Sequence, residues 1–311
     1  MVAMPLAHVS WALADNALRP ACDAFFLDVF GAETAFEMLI TPETEKYGFD
    51  REERLMMVSD TMLIPIAPAG RGAEPGNPLG DMLRRSAAPM RWLGVALRVA
   101  DLKAAAAWFA ARGFAVRQDR GMEESYFIIA RHEALGMRIE VLGQDLPGDP
   151  RNDPAWRPDK WREEHPLGIE GLQAIGVSTP SLDDARALFA GRLEWPELSA
   201  RPLAHPQARC AAFAIGDTML EALEGAPGSD VAGHAANTKG IYHLVYKVAD
   251  AQAAADYLRW RNLPLIGEPS DRIAIAPEHA QGRLIWFTDK LPQGYPPVGS
   301  RLGEPGVFPQ V

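Results

Sequence analysis

The sequence predicts an α+β protein assembled from four βαβββ units. One eight-residue phrase recurs along the chain: HVSWALAD at 8–15, GVALRVAD at 94–101 and HLVYKVAD at 243–250, with a weaker copy, AIGVSTPS, at 174–181. Each copy leads into an amphipathic helical segment and then into short apolar runs of strand length. A repeated DTML, at 60–63 and 217–220, ties the first and third units together independently of those phrases.

In each copy the opening residues are apolar and β-branched, as a strand requires. The last residue, Asp15, Asp101, Ser181 or Asp250, is of a type that caps a helix N-terminus. The first helix, NALRPACDAFFLDVF, is predicted to stop at Gly31 and the second, LKAAAAWFAAR, at Gly113; the others are LDDARALFAGRLEW and AQAAADYLRWRNL. Strands follow at TAFEMLI and RLMMVSDTMLIPIAP in unit one and at AVRQDR and SYFIIARHEALGMRIEVLG in unit two. Unit three supplies RCAAFAIGDTMLEALEG and unit four DRIAIAPEHAQGRLIWFTD.

Pro- and Gly-rich stretches separate the units: APAGRGAEPGNPLG (67–80), LPGDPRNDPAWRPDKWREEHPLG (146–168) and GAPGSDVAGHAANTKG (225–240). The second reads as the domain boundary. The expected organisation is a first domain at 1–145 with modules 4–69 and 91–144, and a linker at 146–168. A second domain at 169–295, with modules 169–225 and 239–291, and a tail at 296–311 complete it. The two Trp of the linker, Trp156 and Trp161, read as clamps onto a domain, with a lid or a subunit contact as the alternative.

A net charge of -10 argues against nucleic acid or an anionic membrane as partner, because both need clustered Lys and Arg. A small molecule is the expected partner, and the chain a monomer or homodimer. Cys22 and Cys210 alone make neither a disulfide framework nor a thiolate metal site, which points to a reducing compartment. The opening MVAMPLAHVS carries no signal-peptide pattern and no apolar run of membrane length occurs, so a cytoplasmic location is expected.

Four βαβββ units opening on an H-x6-D strand resemble the vicinal oxygen chelate superfamily, which holds glyoxalase I, methylmalonyl-CoA epimerase, extradiol dioxygenases and bleomycin-resistance proteins. The resemblance spans residues 4–290, and RIAIAPEHAQGRLIWF (272–287) is similar to the last strands of the epimerase and glyoxalase members. It implies that modules pair into two half-open barrels of curved sheet, each around a cleft. It further implies a divalent metal, Zn, Fe, Mn, Ni or Co, held by first-strand His and fourth-strand Glu, with open positions for two adjacent substrate oxygens.

Carried over position by position, the resemblance gives His8 but Ile64 in unit one, and Gly94 but Glu140 in unit two. Unit three has Ala174 but Glu221, and unit four has His243 but Trp286. Units with the imidazole lack the carboxylate, and the reverse. Pairing of neighbours sets His8 with Glu140 and His243 with Glu221; pairing one with four and two with three puts both His in one cleft. Ala174 and Trp286 stand where ring-cleaving dioxygenases need ligands. A metal on His8, Glu140, His243 and Glu221 would want a further ligand, such as His132, His165, His205, His234 or His279.

A His/Glu pair can also abstract a proton beside a carbonyl without a metal, with either group as general base. The leading expectation is therefore an isomerase, lyase or epimerase acting on a small carbonyl-bearing or aromatic compound through His8, Glu140, Glu221 and His243. Trp286, Tyr242, Tyr126 and Arg98 are the candidate substrate contacts. The alternatives are a metal-free sequestering protein and, third, a metal-dependent dioxygenase.

Overall fold

The computed structural model describes residues 4–87, 91–118, 124–143, 146, 148–292 and 295; the expected tail at 296–311 lies outside them. Unit one comprises β1 (Leu6–Ala12), α1 (Arg19–Phe30), β2 (Glu33–Met38), a short α2 (Pro42–Lys46), β3 (Arg51–Val58) and β4 (Thr61–Pro68). After α3 (Pro78–Ala87), unit two runs through β5 (Trp92–Arg98), α4 (Leu102–Ala111), β6 (Val116–Arg117), β7 (Tyr126–Ile129) and β8 (Arg138–Leu142). α5 (Lys160–Glu163) precedes unit three, which has β9 (Ile169–Ser178), α6 (Leu182–Arg186), β10 (Glu197–Leu203), β11 (Ala208–Ala214) and β12 (Met219–Gly225). Then come α7 (Asp230–Asn237) and unit four: β13 (Gly240–Val248), α8 (Ala251–Trp260), β14 (Leu265–Glu268), β15 (Arg272–Ile275) and β16 (Ile285–Thr288).

The capping residues act as their chemistry requires. Asp101, Ser181 and Asp250 accept backbone N–H groups at the starts of α4, α6 and α8, and Asp15 accepts Ala17 N at the turn entering α1. Gly31, at φ 61°, closes α1 in the left-handed conformation that favours glycine. The helix of unit three departs from expectation: α6 stops at Arg186 and continues as a π-helical stretch over 187–192.

Neighbouring units pair. β1 runs antiparallel to β5 and β9 to β13, giving two eight-stranded sheets in the order β2-β3-β4-β1-β5-β8-β7-β6 and β10-β11-β12-β9-β13-β16-β15-β14. An apolar core continues between the two halves, where Phe30 of α1 meets Tyr246 and Phe287 with ring centroids 6.2 and 5.6 Å away. The repeated DTML earns its place at this junction. Asp60 Oδ1 accepts Leu172 N of β9 at 2.9 Å, while Asp217 Oδ1 accepts Leu6 N of β1 at 3.0 Å. Each turn thus pins the first strand of the other half.

The stretches read as linkers are structured. Asp149 and Arg151 form a buried ion pair at 2.7 Å, and Arg151 also donates to the carbonyls of Ala7 and Asp60. Trp161 is buried and donates to Phe30 O at 3.0 Å, with Trp156 packed against it and the Lys160 ammonium over both rings. Two unforeseen helices cover the faces of the sheets. α3 sets Leu83 against Ala12 and Leu93, and α7 sets Val231 against Leu203, Cys210 and Leu223. The Gly and Pro in and around them read as breaks, and helices this short hold through packing on the sheet rather than alone.

No described helix is long and apolar enough to cross a membrane.

Candidate active site

The first-strand and fourth-strand candidates meet in the second half. Across the sheet, Gly176 of β9 lies opposite Glu221 of β12 on one side and His243 of β13 on the other. The imidazole crosses the glycine, and its Nε2 lies 3.0 Å from Glu221 Oε2. Only glycine permits this, since a Cβ at residue 176 would sit 2.3 Å from that nitrogen. Both side chains are wholly buried, at 0% exposure.

Two arginines complete the cluster. Arg272 of β15 reaches both Glu221 oxygens, at 3.2 and 3.3 Å, and Arg201 of β10 approaches to 3.6 Å. Burial alone would raise the Glu221 pKa, but Arg272 and His243 overcome it and hold the carboxyl well below the usual range. Burial pushes the His243 pKa down; Glu221 opposes that shift and Arg272 reinforces it. The ring is therefore neutral near pH 7, and a neutral ring facing an ionised carboxylate carries its proton on Nε2. Nδ1 remains an acceptor, without a partner among the described residues.

With two guanidinium groups and an imidazole around it, Glu221 is held ionised and is a weak proton acceptor. Sequence reading missed Arg201 and Arg272, although an arginine opening the apolar run RIAIA signalled a buried charge seeking a partner. Gly176 within AIGVS likewise signalled a close approach.

Around the dyad, Trp286 packs with Ala174, Ala212, Met219, Val245 and Ala274, and Tyr295 lies against the same cluster. The Trp286 indole N–H is buried and unpartnered among the described residues. Tyr242, a candidate substrate contact, follows a bulge between Ile241 and His243 and packs on the Leu203 and Cys210 side, 5.9 Å from the His243 ring. Tyr126 and Arg98 belong to the other half, where Tyr126 packs on Ala7, Ala96 and Leu142.

His8 and Glu140 occupy the matching row of the first half, but there the residue between them is Ala96. Its methyl fills the space that Gly176 leaves open, and no counterpart of the His243–Glu221 bond forms. Nδ1 of the buried His8 has no partner among the described residues. Its pKa is pushed down to about 3 by burial, then by Arg151 and Arg138. Glu140 is partly exposed, with Arg138 at 4.0 Å.

The metal that the family resemblance implies does not fit these side chains. His8 and Glu140 sit in one half and His243 and Glu221 in the other, so the four cannot share an ion. In the second half, the guanidinium groups of Arg272 and Arg201 hold the cationic positions beside Glu221 and would repel a divalent cation. Of the other histidines, His234 of α7 is near enough for its charge to act on His243, but its Nδ1 lies 2.7 Å from Ser178 Oγ. Among the described residues no three His, Cys, Asp or Glu converge.

No protein-family model matches the sequence, and no curated protein matches it. Among solved structures, the chain is similar to a triple mutant of 4-hydroxymandelate synthase from Streptomyces coelicolor, at 15% identity with a TM-score of 0.67 over 92% of each chain. One half is similar to methylmalonyl-CoA epimerase from Mycobacterium tuberculosis, at 21% identity and a TM-score of 0.37, covering 40% of this chain and 90% of that one. The first match, at 92% of this chain, takes in both sheets. The chain therefore shares the fold of that structure, with its four βαβββ modules paired as neighbours into two curved sheets.

Proposed function

We propose that the chain is an enzyme that moves a proton on a small carbonyl-bearing or aromatic substrate, giving isomerase, lyase or epimerase chemistry, with His243 as the proton carrier. The observation that carries this reading is the Nε2 contact to Glu221 at 3.0 Å, which leaves Nδ1 as a buried acceptor without a partner among the described residues. Nδ1 takes a proton from the carbon next to a carbonyl, and the electron pair moves onto the carbonyl oxygen as an enolate. The imidazolium so formed is stabilised by ionised Glu221, as a carboxylate stabilises a protonated base in an acyl-transfer triad. Return of the proton to either carbon or face completes an isomerisation; loss of a leaving group instead completes a lyase reaction. Because the dyad is fully buried, substrate reaches it only as the side chains packed above it part.

The test is exchange of substrate protons in D2O, followed by 1H NMR over a panel of 2-oxo acids and acyl thioesters. His243→Gln is expected to slow exchange at least about a hundredfold, the usual worth of a positioned base. Exchange that survives in His243→Gln, or that a chelator abolishes in the wild type, overturns the reading. The complete burial of His243 and Glu221 favours a second reading, a metal-free protein that binds its ligand without reaction. Ligand-induced shifts without exchange for every compound would establish it.

A further inference from the structure

A cavity of about 660 Å³ opens between the two halves beside α7, away from the His243–Glu221 contact. Its charged lining is cationic: Arg91 and Arg131 from the first half and Lys239 from the second, with no carboxylate among the lining residues. Both guanidinium groups are fixed by backbone carbonyls, that of Arg91 across the junction and that of Arg131 within its own turn. Arg91 donates to Thr238 O, and Arg131 Nε donates to Gly136 O at 2.7 Å. Neither forms an ion pair among the described residues, and Arg91 Nε is buried without a partner there.

Two partly buried guanidinium groups side by side without a counter-ion are costly. Their field is felt by neighbours. Burial, and then the charge of Arg91, pushes the Arg131 pKa down to about 10. The same two arginines add to the burial that lowers His234, across the wall from Ser178, to about 4. A bound anion relieves all of these penalties together, and three formal positive charges balance two negative ones better than one.

We propose that this cavity is a binding site for a small dianion, a phosphate monoester or a dicarboxylate, held by Arg91, Arg131 and Lys239 where the halves meet. Because the cations come from both halves, the ligand ties them together. The site stands whether or not His243 moves protons.

Calorimetric titration of the full chain with inorganic phosphate and with malonate, at constant ionic strength set by chloride, tests this directly. One saturable site is expected for at least one of the two probes. Its affinity should fall about tenfold or more in Arg131→Gln and in Lys239→Gln, the loss expected for one charge-assisted contact. Lys239 is exposed, so Lys239→Gln retains the packing even if Arg131→Gln is poorly folded. Phosphate binding without malonate binding identifies a phosphate ester, and the converse a dicarboxylate. Absence of saturable binding of both probes to the wild type, or affinity unchanged in Lys239→Gln, overturns the proposal.

Discussion

Substitution of Gly176 by alanine probes the dyad with a single methyl group. The added carbon would lie 2.3, 2.4 and 2.7 Å from Nε2, Cδ2 and Cε1 of His243, all inside van der Waals contact. The imidazole must therefore swing off Glu221, breaking a charge-assisted hydrogen bond worth about 1.5–3 kcal/mol. The displaced ring N–H stays buried, which brings the total to about 3–5 kcal/mol. Ala96 is the natural counterpart: its methyl stands between His8 and Glu140, and the pair does not close. Urea unfolding followed by circular dichroism measures the loss, with Gly233→Ala as control. A Cβ at Gly233, in α7, meets nothing within 4 Å, so that variant should be neutral or stabilised by up to about 1 kcal/mol. A Gly176→Ala protein as stable as the wild type, with the imidazole still on Glu221, would refute the reasoning.

Glu221→Gln leaves the Arg272 guanidinium buried without its counter-charge and should cost about 3–5 kcal/mol in the same assay. Acid should destabilise the protein from about pH 6.5 downward, well above the carboxylate range. The folded pKa of His8 is about 3 and that of His234 about 4, below the unfolded value of 6.5, so the unfolded chain binds more protons between those values and stability rises with pH there. Asp60 opposes them: its folded pKa of about 6 lies above its unfolded 3.8, so its contribution is lost as pH rises through that interval. With two groups against one, the net slope between pH 4 and 6.5 stays positive, and His8→Gln should flatten it; a slope unchanged in that variant would contradict the burial assigned to His8. Asp60→Asn keeps an oxygen acceptor for Leu172 N and removes the buried charge, so it should be at least as stable as the wild type at pH 7 in thermal unfolding, whereas Asp60→Ala should lose about 1–3 kcal/mol. Trp161→Ala forfeits a buried indole and its bond to Phe30 O, a loss of about 3–5 kcal/mol by urea titration.

Much of the architecture was legible because duplication writes the same physics several times. The capping Asp and Ser of each copy, the left-handed Gly31 and the paired DTML turns each obey local rules that hold before any tertiary contact exists. The position-by-position carry-over named both Glu221 and His243 and left open which units pair. Contacts across the fold were less visible. Arg201 and Arg272 come from β10 and β15, far apart in sequence and on either side of β12 in the sheet, and only the curling of the sheet brings both to Glu221. α3 and α7 carry weak helix-forming sequences that the sheet faces stabilise. The cavity between the halves draws Arg91, Arg131 and Lys239 from three separate turns, a convergence no local pattern announces.

The proposed chemistry depends above all on the protonation state of the His243 imidazole. In protein labelled with 15N at histidine, the ring nitrogen shifts of His243, assigned by difference with His243→Gln, report which nitrogen carries the proton. The predicted result is a ring neutral at pH 7 and protonated at Nε2, with Nδ1 unprotonated and its titration shifted below that of a free imidazole, because burial holds its pKa down against Glu221. A ring protonated at Nδ1, or charged at pH 7, would contradict it.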